Sequence, residues 1–280
     1  MIALVTDSNA MLPEQLRARF GVRVVPLTVV VDGQSYAEGV DLTTREFNER
    51  LSAGATVSTS APPPGAFVAA YEAAAASGAD AILSVHIGSN TSATLGSARL
   101  ASRRTEIPVE LVDTGTASFP VACCVWAAGA VLEADGPIEA AADAARAVAR
   151  SVGNVFVVGA LDLAARGGRL RREVAAAAAT DVAVLALRGG TMDAVAHAGD
   201  VHEAVRAMAA EVEQAGREGP LRVGVGDAGA PELAASLAGQ LDGSAAVAEL
   251  VRYEVGPSVT AHTGLGTAGA VFFPADLTTG

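Results

Sequence analysis

Cysteine, aromatic residues and basic charge are all scarce in this chain, and each shortage closes off a class of protein. Its 280 residues include two cysteines, Cys123 and Cys124, adjacent in an apolar run. Neighbouring residues rarely close a disulfide, and no CxxC or Cys/His ligand spacing accompanies them. Buried thiols in a reducing compartment are therefore expected, rather than a disulfide framework or a metal site. Acidic residues outnumber basic ones by 31 to 19, for a net charge of −12 and a pI near 4.7. Nucleic acid and anionic membrane both require clustered positive charge, so neither is an expected partner. The acid is spread along the chain, as on a solvated surface. No apolar run reaches the roughly 20 residues that span a bilayer; the longest is Val121–Leu132. The amino terminus, MIALVTDS, turns polar too early for a secretion signal. A cytoplasmic protein without stable membrane insertion is the expectation.

Aromatics make up only 4% of the chain against an apolar share of 51%. Much of that apolar share is alanine, which favours helices. Phe67, Phe119, Trp126, Phe156 and Tyr253 are the candidate anchors. Short apolar runs alternate with helical stretches. Ile2–Thr6, Val22–Val31, Ala81–His86, Val109–Val112, Val155–Val158, Val182–Leu187, Leu221–Val225, Ala245–Val251 and Ala268–Phe273 read as strands. Pro13–Phe20, Thr43–Ser52, Gly65–Ala76, Ser92–Arg103, Ile138–Val152, Val201–Gly216 and Pro231–Leu241 read as helices. Pro13 and Pro231 suit a first helical turn, where a missing N–H costs nothing. The alternation predicts an α/β protein with a largely parallel sheet. In the second half the strands outpace the helices, and the pairs Gly167-Gly168 and Gly189-Gly190 suggest turns, so a mixed sheet is expected there. The chain is long enough for two domains, here placed at residues 1–153 and 154–280.

Several polar stretches stand where chemistry could occur. In "AILSVHIGSNTSATLGSARL" an apolar strand runs into a hydroxyl-rich turn and then a helix. Ligands of open α/β sheets bind at such carboxyl ends, and helix N-termini accept anions. Taken alone, the hydroxyls of this turn, Ser92 among them, are better explained as ordinary helix capping. "VSTSAPPPGAF" sets Thr59 and Ser60 before a proline run and a further helix, with the same two readings. Asp7, at the end of the first strand in "VTDSNAMLP", reads as a capping carboxylate or a catalytic acid. "LAARGGRLRRE" clusters Arg166, Arg169, Arg171 and Arg172, either a solvated face or a docking patch for a phosphate or an acidic partner.

The tail "VTAHTGLGTAGAVF" contains a literal GxGxxG, Gly264 to Gly269. A dinucleotide loop opens a βαβ unit with an acidic residue about 20 positions later. Too few residues come after Gly269, and they read as a strand, so the match is accidental. His262, beside Thr263 and Gly264 in a segment too rich in glycine to be regular, reads as a positioned polar group. The chain shows no GxxxxGK[ST] loop and no GxSxG elbow.

Taken in order, "VTDSNAMLP" (5–13), "VVPLTVVVDGQSYAEGVDLT" (24–43), "VSTSAPPPGAF" (57–67), "SVHIGSNTSATLGSA" (84–98), "VDTGTAS" (112–118), "FVVGALDLAARGGRL" (156–170) and "VGPSVTAHTGLGTAGAVF" (255–272) resemble the DegV family of bacterial proteins, whose characterised members bind fatty acids. The resemblance spans essentially the whole chain and rests on the order and spacing of its motifs. It implies a three-layer α/β/α N-terminal domain with a mainly parallel sheet and a C-terminal α/β domain with a mixed sheet. It further implies a long-chain fatty acid as ligand, with no cofactor, no metal and no catalytic residue. Thr59, Ser60, Ser92, Thr94, His262, Thr263 and Gly264 fall on the family's carboxylate-binding motifs. Arg166 and Arg169 fall on its Gly-Gly-Arg region, connected there to docking of a separate ATP-binding fatty acid kinase that makes an acyl phosphate for phospholipid synthesis. Ala61 stands where the family often has glutamine, Ala93-Thr94-Leu95 replaces Gly-Thr-Tyr, Pro120 stands at a common glycine, and a Lys-Pro before residue 182 is missing. An alternative, from the residues alone, is a serine acyl hydrolase or transferase with Ser92 or Ser60 as nucleophile, His262 as base and Asp7 as orienter.

Overall fold

The β-branched and leucine-rich runs IALVTD and AILSVH form adjacent parallel strands β1 (Ile2–Asp7) and β6 (Ala81–His86), buried along most of their length. Near-continuous apolar sequence is what a parallel strand covered on both faces requires. The computed structural model describes residues 1–159, 182–188 and 191–278. The chain divides into two units, the first Met1–Ser151 with the segment from Leu277 and the second Val152–Asp276.

In the first unit, β2 (Arg23–Val25) and β7 (Val109–Asp113) complete a parallel sheet in the order β2-β1-β6-β7. Helices α3 (Pro64–Ala76) and α4 (Thr94–Ser102) cover one face. There Phe67, Tyr71, Ala74, Ala98 and Ala101 pack on Val5, Val25 and Ile82. Helices α5 (Phe119–Glu133) and α6 (Ile138–Ser151) pack against the sheet, and α1 (Glu14–Phe20) packs on α5. The result is the expected three-layer arrangement.

Sequence patterning predicts no element at residues 119–133. They form α5, and every residue from Phe119 to Gly129, including both cysteines and Trp126, is buried. A helix apolar on all sides loses the 3.6-residue period by which an amphipathic helix is recognised. Gly129 leaves room for α1 to pack, since a Cβ there would lie 2.5 Å from the Phe20 ring.

The single strand expected at Val22–Val31 is two strands in different sheets. The break falls at Pro26 and Leu27, and β3 (Thr28–Val31) joins an antiparallel sheet ordered β4-β3-β5, with β4 at Gln34–Ala37 and β5 at Val57–Ser60. Asp32 and Gly33, both at positive φ (50° and 83°), turn β3 into β4. Asp-Gly between alternating strands is a strong hairpin signal, and it places a turn where the pattern of apolar runs alone does not. Helix α2 (Thr44–Ser52) comes next, opened by a capping box of Thr43 and Glu46.

The second unit holds a six-stranded mixed sheet, ordered β10-β9-β8-β13-β11-β12. Its strands are β8 (Gly153–Val157), β9 (Val182–Arg188), β10 (Thr191–Ala198), β11 (Leu221–Ala228), β12 (Val247–Glu254) and β13 (Thr267–Pro274). Among the described strands only β11 and β12 pair in parallel; the other neighbours are antiparallel. Helices α7 (Val201–Ala215) and α8 (Pro231–Leu241) place Val205, Met208, Val212, Leu237 and Leu241 against Val155, Val184, Val223 and Val225. A short helix α9 (Pro257–Thr263) precedes β13.

Candidate functional site

In the first unit the chain leaves β1 towards β2 on one side and leaves β6 towards β7 on the other. Their following helices pack with different partners, α1 with α5 and α4 with α3. The carboxyl ends of β1 and β6 are thus the point where strand order reverses, the place where open α/β sheets hold ligands.

Asp7, the last residue of β1, is fully buried. Its Oδ1 accepts the N–H of Asn9 at 3.2 Å, and its Oδ2 accepts the N–H of Ile87 at 3.1 Å and lies 2.9 Å from Nδ1 of His86. His86 Nε2 is 2.6 Å from Ser84 Oγ, which is 2.8 Å from the Tyr71 hydroxyl. Asp7, Tyr71, Ser84 and His86 are all completely shielded from solvent. One proton arrangement satisfies the row: Tyr71 donates to Ser84, Ser84 to Nε2, and Nδ1–H to Asp7. Burial pushes the Tyr71 hydroxyl up to about 12, against a smaller lowering by its bond to Ser84.

The bond to the Asn9 N–H is the contact that the capping reading of Asp7 expects. Its oxygens serve His86 and two backbone N–H groups. Sequence reasoning missed His86, Ser84 and Tyr71. The available signal was a pair of polar letters two apart in an apolar strand, which places both on one face.

The loop after β6 is tied to the loop after β7. The Thr114 hydroxyl donates to His86 O at 2.8 Å, and Gly88 N–H donates to Thr116 O at 2.7 Å. A Cβ on Gly88 would lie 2.6 to 2.8 Å from Asn90 Oδ1 and the Gly115 backbone, so the approach needs glycine. Ser92 Oγ then accepts the N–H of Thr94 at 3.2 Å and pairs with Thr94 Oγ1 at 2.8 Å. The N-cap of α4 is Ala93, which makes no side-chain cap bond, so Ser92 is not the ordinary N-cap that one reading expected. It lies one residue outside the cap, closes a local turn onto the Thr94 N–H, and keeps further hydrogen-bonding capacity. Thr94 is buried and Ser92 half-buried.

Nearby, burial raises the Asp113 carboxyl, but the Ser89 hydroxyl and the N–H groups of Ser89 and Gly115 outweigh it, and the group sits below its ordinary range. Ser118, at φ 64° and ψ −153°, occupies backbone space that only glycine visits readily. Its N–H is held by Asn9 Oδ1 at 2.7 Å.

Thr59 and Ser60 do not stand at a helix entrance. They end β5, paired with Val29 and Thr28, upstream of α3 and its opening Pro64. Successive strand residues face opposite ways, and Thr59 is half-buried while Ser60 is exposed. The two hydroxyls therefore project to different faces.

In the second unit, His262 and Thr263 lie in the last turn of α9, a regular helix where none was expected. His262 is exposed. Gly264 ends the helix at φ 77°, giving its N–H to Thr260 O at 2.8 Å. Gly266 N–H bonds Ala228 O at 2.8 Å, and Thr267 Oγ1 bonds Gly264 O at 3.1 Å. The GxGxxG match leads from a helix end into an antiparallel strand, so no dinucleotide loop exists there. Arg166, Arg169, Arg171 and Arg172, with the Gly167-Gly168 pair, lie outside the described residues. Among the described residues no three His, Cys, Asp or Glu side chains group as metal ligands, and no helix is long and apolar enough to cross a membrane.

A parallel sheet with a hydroxyl-lined switch point and, in the same chain, a mixed sheet with a histidine-bearing helix end define a two-unit α/β architecture. A model of the DegV family, described as uncharacterised, matches residues 1–275, and the chain belongs to that family. It is 34% identical to a DegV domain-containing protein of Streptomyces coelicolor, over 96% of this chain and 97% of that one. Among solved structures it is similar to a DegV family protein from Thermus thermophilus described by its fatty acid binding, with TM-score 0.86 and 32% identity over 98% and 99% of the two chains. It is also similar to DegV of Bacillus subtilis, described as a fatty acid binding protein, with TM-score 0.82 and 25% identity over 97% and 98% of the chains.

Proposed function

We propose that this chain binds a long-chain fatty acid as a carrier and presents the carboxylate to a separate ATP-binding fatty acid kinase. The observation behind this reading is the whole-chain likeness to the Thermus protein, whose described property is fatty acid binding. Each methylene of an acyl chain contributes roughly 0.8 kcal/mol on burial, so the tail supplies affinity and the head group needs orientation. The proposed head-group ligands are Thr59, Ser60, Ser92 and Thr94 in the first unit and His262, Thr263 and Gly264 in the second. The hydroxyl and backbone donors supply hydrogen bonds to a carboxylate. Thr59 and Ser60, facing opposite ways on β5, contribute one hydroxyl at most to any single point, and the half-buried Thr59 is the better placed. Arg166 and Arg169 are proposed as kinase-docking residues. No cofactor or metal is required.

The competing serine hydrolase needs Asp7 to orient His262, but the Asp7 carboxylate is engaged with His86, Ile87 and Asn9. Native mass spectrometry of the purified protein separates the readings. The carrier predicts a co-purifying, unmodified fatty acid, lost or weakened in Ser92→Ala, with no turnover of p-nitrophenyl esters. An adduct on Ser92, or ester turnover abolished by His262→Ala, would overturn it.

A further inference from the structure

We propose that His86 is the positioning residue of the head-group site, setting carboxylate recognition through Ser92 and Thr94 without touching the ligand. This rests on the fatty acid reading above and adds a residue to it. Pairing of β1 with β6 ends at Thr6 and Val85. Beyond it, the backbone still ties β6 to β7, with His86 opposite Asp113 and the Gly88 N–H on Thr116 O, while the tie to β1 passes to side chains. The Asp7 carboxylate accepts from both the His86 ring and the Ile87 N–H, drawing residues 86 and 87 towards β1. From the other side the Thr114 hydroxyl donates to His86 O. The imidazole cannot swing, because its other nitrogen meets Ser84 and its ring lies edge-on against Phe67, centroids 5.0 Å apart at 86°. The chain that leaves this clamp turns at Gly88, whose carbonyl accepts the N–H groups of Thr91 at 2.9 Å and Ser92 at 3.1 Å, and ends at the Ser92–Thr94 pair. A change in the tilt of His86 is passed through a short, hydrogen-bonded turn to the hydroxyls. A buried, fully satisfied polar row of this kind specifies one geometry.

The chemistry assigns different tasks to the two ring nitrogens. Nδ1 directs the loop through Asp7, and Nε2 anchors the ring through Ser84. Asparagine places an amide near Nδ1 and glutamine places one near Nε2, so the two substitutions divide the tasks while each keeps one buried polar contact. The test measures the affinity of delipidated protein for palmitate and for 1-hexadecanol, which share a tail and differ in the head. The unmodified protein is expected to prefer palmitate. His86→Asn should keep that preference within about threefold, and His86→Gln should reduce it about tenfold while hexadecanol affinity stays constant. Equal losses for acid and alcohol in His86→Gln, or an unchanged preference, would overturn the proposal and leave fatty acid binding standing. No preference in the unmodified protein would overturn both the proposal and the head-group reading. Should the glutamine variant not fold, the Nδ1–H resonance of His86 in the unmodified protein decides. Palmitate should shift it and hexadecanol should not; indifference to palmitate would sink the proposal.

Discussion

The two units place different weight on two means of fixing the chain. In the first, side chains do it: Asp7, Asn9, Asp113 and Thr114 each bind backbone groups of a neighbouring loop at the sheet edge. In the second, side-chain ties such as Thr267 Oγ1 to Gly264 O are joined by close packing at glycines, as Gly88 packs on Gly115 in the first, but here also within the sheet. A Cβ on Gly159 would lie 1.5 Å from Leu265 O, beside the turn that leaves α9. Within the sheet, β13 and β11 pair glycine with glycine at Gly269 and Gly226, flanked in register by Phe156 and Tyr253. A Cβ on Gly226 would lie 2.2 Å from the Tyr253 ring, and one on Gly269 would lie 2.3 Å from Val155 O. Loops tied by side chains can be retuned one bond at a time. A packed backbone rejects any added atom, so the second unit should respond more steeply to small insertions of volume and the first to deletions.

Phe67→Ala is the severest deletion in that comparison. Phe67 is completely buried, packs on Tyr71 and braces the His86 ring. Truncating a core phenylalanine costs about 3–5 kcal/mol, and denaturant unfolding should register that loss together with faster amide exchange in β6 and the loop to Ser92. Exchange that rises equally in the second unit would break the distinction between the units. Gly269→Val is the complementary insertion. The nearest atoms are the Val155 carbonyl oxygen and the Phe156 Cβ, which cannot give as the far end of a flexible side chain would, so the cost should approach about 3 kcal/mol, near the upper end for overpacked sites. It should appear as faster exchange along β8, β11 and β13, with Ile2–Asp7 unaffected. A change near zero would show that Val155 and Phe156 yield easily and that close backbone approach is not what orders this sheet.

The same contrast explains what could be read from sequence. The parallel strands and most amphipathic helices were legible because β-branched runs and 3.6-residue spacing report burial directly. Helix α5 was not, since eleven successive buried residues leave no polar face to mark a period. The split at Pro26 and the helical α9 depended on which neighbours each segment meets, which local sequence does not state. Of the candidate site, Ser92 and Thr94 were legible as hydroxyls at a strand-to-helix turn. The alternation of Thr59 and Ser60 became visible only once residues 57–60 were seen as a strand. His86 was hidden because a histidine closing an apolar run looks the same whether it packs or positions. What marks it is a hydrogen bond to Asp7, 79 residues away.

Alkali offers the mildest probe of the buried polar row, and it acts on the first unit. Tyr71 ionises near 12 in the folded protein, against about 10 for an ordinary tyrosine. The folded state holds the proton more tightly, so the stabilisation is fully present below about pH 10, where both states are protonated. It is lost as pH rises through about 12, because the unfolded chain releases its proton first and gains by doing so. Tyr71→Phe removes this dependence and changes no other ionisable group. The difference in unfolding free energy between the two should therefore shrink by about 2 kcal/mol from pH 9 to pH 12. The measurement is paired denaturant titrations across that range, with amide exchange to place the opening in Met1–Ser151. A constant difference would mean that the folded protein lets Tyr71 ionise at no cost, and that the row from Tyr71 to Asp7 is open to water at its tyrosine end.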